Sequence, residues 1–197
     1  MHPNRSFAWD DEVAMRAAVE NASFAHLFAM TSEGAMVAHA PLVVNGTGFR
    51  FHVARTNRIW CHLDGAQIVA SVTLADGYVS PDWYENGANQ VPTWNYVAIE
   101  IQGIARASGR EELVGQLDRL AEVHEAKLDP KPHWTRAKIG SETMAAMLNA
   151  IEAFEICEGR LRGTRKLSQN KSVADRTGVI ARLEARGDHL LARLMRT

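Results

Sequence analysis

Residues 24–54 contain three alternating apolar segments, FAHLFAMT, MVAHAPLVV and GFRFHV, joined by the turns SEGA and NGTG. Alternation at period two puts one face of each segment toward a core and the other outward. Glycine and asparagine at the joints supply the positive φ that tight hairpins need. Three antiparallel strands, Phe24 to Thr31, Met36 to Val44 and Gly48 to Val53, are therefore expected. Gly46-x-Gly48 lacks the third glycine and following helix of a dinucleotide loop, so it reads as a turn.

The rest of the chain alternates between the two periodicities. DDEVAMRAAVENAS reads as a short helix capped by Asp10 or Asp11. TNRIWCHLDG reads as a short helix starting at Thr56 or Asn57. AQIVASVTLA and WNYVAIEIQGIARAS read as strands joined by a long aromatic-rich connection. GREELVGQLDRLAEVHEAKL is an amphipathic helix with Leu113, Leu117, Leu120 and His124 on one face. Ser141 is expected to cap a further helix, IEAFEICEGRLRG to be the last strand, and two helical pieces around Gly187 to complete the chain. Six or so antiparallel strands with inserted helices imply an α+β fold. Closing them into a barrel, fully or partly, removes the sheet edges. No linker or repeat interrupts the pattern, so 1–197 reads as one domain, with 141–197 its helical and basic part.

Composition narrows the function. A net charge of −1 argues against binding nucleic acid through bulk charge. The distribution is uneven: residues 159–197 hold ten Lys/Arg against three acids. Such a tail suits a solvated helix face, an acidic partner subunit, a phosphate-bearing ligand or DNA. No apolar run approaches the roughly 18 residues of a membrane span, and no secretory h-region is present. The expected location is the cytoplasm, with Cys61 and Cys157 as reduced, partly buried thiols. Neither the cysteines nor the eight histidines have metal-ligand spacing, so no metal is expected.

Three segments could carry binding chemistry. In FRFHVARTNRIW, a strand ending at His52-Val53 runs through Ala54 and Arg55 into an expected helix start at Thr56-Asn57, beside Arg58. Free N–H groups and a guanidinium suit a phosphate; an ordinary capped turn is the alternative. GTRKLSQNKS places Lys166, Ser168, Gln169, Asn170 and Lys171 just after a strand, dense in donors. VPTWNY puts Trp94 and Tyr96 on one strand face and Asn95 on the other. That suits a flat heteroaromatic ligand or a dimer interface.

Taken together, HVARTN (52–57), YVSPDWY (78–84), VPTWNY (91–96) and KLSQNKS (166–172) resemble the PaiB family, described as FMN-binding negative transcriptional regulators. AHAPLVV, HE at 124–125 and RTGVIARLEARG strengthen the likeness, which spans nearly the whole chain. The resemblance implies a split β-barrel similar to pyridoxamine 5'-phosphate oxidases, a homodimer, and FMN where two subunits meet. It implies that His52, Val53, Ala54 and Arg55 lie beside the ribityl phosphate, with Asn57 at the helix start; Arg58, which departs from the family pattern, would add a phosphate contact or alter the helix start. Thr93, Trp94 and Asn95 would line the groove, with Lys166, Ser168, Gln169 and Asn170 contributed from the last strand. The family pattern after HVA is basic-Ala-Asn-Pro; here it is Arg55-Thr56-Asn57-Arg58. Other readings are a flavin-dependent oxidoreductase, with His52 and Tyr96 orienting a substrate, and a haem-binding barrel using His52 or His124.

Overall fold

The computed structural model describes residues 2–196. In order along the chain it contains β1 (Ala8–Trp9), α1 (Glu12–Ala22), β2 (Phe24–Thr31), β3 (Gly34–Asn45), β4 (Gly48–Ala54), β5 (Gln67–Val79), β6 (Thr93–Ala107), α2 (Arg110–Glu125), α3 (Ser141–Asn149), β7 (Ile151–Lys166), α4 (Val173–Ala185) and α5 (His189–Arg196). Two compact units result. A barrel unit comprises 12–72 and 100–161; a terminal unit comprises 2–11, 73–99 and 162–196.

In the barrel unit the strands run in the order β7–β4–β3–β2–β5–β6, and a further β6–β7 pairing closes the ring. The hairpins form at the expected turns. Thr31 Oγ1 accepts from the Glu33 N–H at 3.1 Å and donates to the Gly34 carbonyl at 2.8 Å. Gly34 and Gly46 take φ of 102° and 56°, where a side chain is disfavoured. The alternating apolar positions point inward: Leu27, Leu42, Phe49, Phe51, Ile68, Ile101, Phe154 and Ile156 are buried. Phe51 and Phe154 are cross-strand partners with stacked rings 5.4 Å apart. Each such ring contributes about 1.5–3 kcal/mol on burial. Alanines at 25, 38, 40, 70 and 105 are also buried and leave room for the phenylalanines. Where β6 meets β7, a Cβ on Gly103 would stand 2.4 Å from the Cys157 carbonyl oxygen, so closure requires glycine.

Helix α2 is held through Gln116, 1% exposed, whose amide donates to the carbonyls of Pro41 and Arg50. Leu113 is buried on the same helix, as the periodicity predicts. Two expectations fail. Helix α3 begins at Ser141 itself, with Gly140 at the cap position and no side-chain cap bond. The segment after β4 forms turns and a single 3-10 turn, Trp60–His62, rather than an α-helix. There the Asn57 side chain accepts from the Ile59 N–H at 3.2 Å, a local bond that competes with helix propagation.

The terminal unit has its own core: Val79, Tyr84, Val97, Leu167, Val179, Leu183, Leu191, Ala192 and Met195. Within it β1 pairs with the end of β7. Ser172 caps α4, its hydroxyl accepting from the Asp175 N–H at 3.1 Å. Gly187, at φ 87°, ends α4, and the Asp188 N–H closes back on the Leu183 carbonyl at 2.9 Å. Among the described residues no helix is long and apolar enough to cross a membrane.

Candidate functional site

The residues singled out in the sequence fall into two groups, one in each unit. In the terminal unit, Lys166 is the last residue of β7, and the chain then turns through Ser168 at φ 59°. Positive φ is costly for serine, and neighbouring side chains hold it there. Ser168 Oγ lies 2.9 Å from Asn95 Nδ2 and 3.1 Å from Asn95 Oδ1. Asn95 is fully buried, and its amide also faces Met195 Sδ at 3.4 Å. Gln169 braces the same turn, accepting from the Leu167 N–H and donating to the Arg165 and Ser6 carbonyls. Gln169 is thus a brace for the chain.

Lys166 Nζ donates to Thr93 Oγ1. Desolvation by burial holds its pKa below the ordinary lysine value. Lys166, Thr93, Asn95, Ser168 and Asn170 share a cavity of about 160 Å³ with Tyr84, Gln90, Val91 and Lys171. Two lysines and several neutral polar groups line it, and among the described residues no carboxylate does. Lys171 donates to Gln90 Oε1 at 2.6 Å and lies 4.8 Å over the Tyr84 ring. Lys171 belongs to the donor-rich run read from the sequence, whereas Tyr84 and Gln90 were not among the residues assigned to a ligand there. Trp94 does not line this cavity. It lies on the opposite strand face, 53% exposed, with its ring edge-on to Tyr78 at 5.2 Å. Alternation along β6 therefore separates Trp94 from Asn95 as expected, but the Asn95 amide is committed to Ser168 rather than presented to a ligand edge.

In the barrel unit, Arg55 follows β4. Its Nη1 lies 3.1 Å from Glu152 Oε2, and its guanidinium lies 5.3 Å over the Trp60 ring. The Trp60 indole N–H donates to the same carboxylate. The expected helix start at Asn57 is absent, so that part of the cradle is corrected. A different helix start shares the Arg55 cavity: Ser108, Gly109 and Arg110 at the beginning of α2 line it with Asn149, within about 290 Å³. Val53 points into the core, whereas Ala54 and Arg58 are exposed. His52 faces α2. Burial pushes its pKa below 6.5, outweighing the Gln116 side chain, which raises it. Its Nδ1 is buried without a hydrogen-bond partner among the described residues.

Comparison with known proteins adds to this geometry. The fold is shared with the FAD and heme binding protein from Mycobacterium smegmatis (TM-score 0.59, 14% identity, 86% of this chain and 78% of that one). It is also shared with the flavocytochrome Anf3 from Azotobacter vinelandii (TM-score 0.59, 19% identity, 89% and 78%). These likenesses show the fold, an antiparallel split β-barrel with peripheral helices. The "Protease synthase and sporulation protein PAI 2" of Bacillus subtilis (strain 168) is 28% identical over 160 residues, covering 78% of this chain and 75% of that protein. The family described as "Putative FMN-binding domain" matches residues 1–157, and with four PaiB-like motifs along the same chain, the protein belongs to this FMN-binding, PaiB-type family.

Proposed function

We propose that this chain binds FMN as a cytoplasmic homodimer, with the cofactor where two subunits meet, and acts as a flavin-dependent sensor that lowers transcription. The observation that carries the cofactor reading is the acid-free, two-lysine cavity of the terminal unit. A partly buried ammonium whose partner among the described residues is a hydroxyl is stabilised by an anion, and FMN offers its phosphate and the electron-rich edge of its ring. The donor set therefore fits. A cavity of about 160 Å³ takes one polar end of the molecule, since whole-ligand sites span roughly 300–1,000 Å³. Lys166 would supply charge, Thr93 would orient the ammonium, and the Asn95–Ser168 pair would hold the turn in shape. Arg55 and the start of α2 form a second anion-compatible group. The Arg55 charge is already matched by Glu152, so its contribution is the smaller. Bound FMN would supply reversible one- and two-electron chemistry.

Repression would act through a small molecule or protein partner rather than through the basic tail. Several of the tail's cations are engaged within the terminal unit: Arg176 with the Met195 carbonyl, Arg186 with Trp83 and Asp188, Arg196 with Glu184. The flavin oxidoreductase reading shares the same cofactor, and turnover of NAD(P)H by the loaded protein separates the two. The decisive experiment is titration of FMN and riboflavin into wild-type protein and Lys166→Met, followed by flavin absorbance and fluorescence. Saturable FMN binding, weakened by Lys166→Met, is expected. A folded wild-type protein that binds no flavin would overturn the reading.

A further inference from the structure

The hairpin register brings together two histidines that no sequence motif connects. Thr31 pairs with Gly34 at the β2–β3 turn, and antiparallel pairing then sets His26 directly opposite His39. Both lie on the outer face of the barrel unit, in the row that continues to Ser71 on β5. Their ring centroids are 4.8 Å apart, with the planes at 80°. Neither ring is engaged by a carboxylate, amide or hydroxyl among the described residues. The flanking rows are apolar: Phe28 pairs with Val37 and Val69 on one side, and Phe24 with Pro41 on the other. No lysine or arginine in these rows opposes a cation.

We propose that His26 and His39 form a chelating site for a divalent first-row transition metal, Cu(II) above the others. Imidazole nitrogens bind such ions at about 2.0–2.1 Å, and each ring centre lies about 1.1 Å beyond its nitrogen. Two cis imidazoles at angles of about 90–110° therefore place their centroids roughly 4.5–5.1 Å apart. The observed 4.8 Å falls inside that window, so binding needs rotation about side-chain torsions and no change in strand register. Cu(II) stands highest in affinity for nitrogen sites of this kind. Two protein ligands leave the other coordination positions to water, and the Ser71 hydroxyl lies in the same row to accept or donate to such a water. The ordinary alternative is an edge-on ring contact that only packs the face.

The test is titration of Cu(II) into the full chain in a non-coordinating buffer, with the wild type, His26→Asn, His39→Asn, the double variant and His124→Asn as control. Circular dichroism verifies folding of each. The expected result is a saturable equivalent in the wild type whose affinity falls at least tenfold in either single variant. The double variant should be little worse than either, because one ligand alone no longer chelates. His124→Asn should match the wild type. The wild-type Cu(II) electron paramagnetic resonance spectrum should change when either histidine is removed. Unchanged affinity and spectrum in the double variant would overturn the site, as would absence of any copper equivalent that the double variant lacks. None of these readouts depends on flavin.

Discussion

Lys166 and Arg55 invite comparison, because each is a basic residue at the exit of a strand and each was singled out for the same ligand. Their surroundings differ in kind. Arg55 is paired with Glu152 at 3.1 Å and covered by the Trp60 ring. Lys166 has a hydroxyl and a second lysine in the same cavity, which no carboxylate lines among the described residues. A cation with a built-in counter-charge must exchange one anion for another on binding a ligand. A desolvated cation without one gains the whole interaction. Basic residue type is therefore a weak guide to an anion site until the counter-charges are located.

The largest expected effect tests this contrast directly. Lys166→Met should reduce FMN affinity by about 10- to 100-fold, the scale of one charge-assisted hydrogen bond. Equal losses in Lys166→Met and Arg55→Ala would break the comparison. Next comes Asn95→Ala, which leaves the buried Ser168 hydroxyl without its partner. It should destabilise the fold by about 1–3 kcal/mol in urea unfolding. The matching change beside Arg55, Glu152→Gln, should cost well under about 1 kcal/mol, because that ion pair is partly exposed. It should instead strengthen anion binding near Arg55 by freeing the guanidinium.

A pH effect belongs to the barrel unit. The pKa of His52 is lowered by burial from 6.5, so the unfolded chain binds the proton more readily than the folded one. The stability His52 contributes is fully present above about pH 6.5 and declines as pH falls toward its lowered folded value. The slope cannot exceed about 1.4 kcal/mol per pH unit. His52→Asn should flatten this part of the profile in urea melts at stepped pH, and His124, also lowered mainly by burial, should retain a slope of the same sign. The smallest expected effect is on FMN affinity in Arg55→Ala, less than about threefold if the Glu152 pairing persists in solution.

Much of the fold was legible beforehand because its signals are local. The boundaries of β2 follow from alternation and a glycine turn, and the break between α4 and α5 from Gly187. The failures are also local, but they involve competition. Thr56-Asn57 carries a valid helix-start signature, yet the Asn57 side chain satisfies Ile59 in a turn instead. Capping residues favour both outcomes, so composition could not separate them.

At the candidate site the division runs along sequence distance. By itself the sequence determined the barrel strands, the separation of Trp94 from Asn95 across β6, the donor-rich run after Lys166 and membership of the FMN-binding family. Periodicity, turn chemistry and motif order are all encoded within a few residues of one another. Tertiary structure alone decided that Asn95 is held by Ser168, 73 residues away, and that Glu152 answers both Arg55 and Trp60. It also decided that α2 supplies the helix start in the Arg55 cavity, and that His26 faces His39. Those pairings depend on strand register and closure, which fix neighbours in space only after the whole hydrophobic pattern has been buried at once.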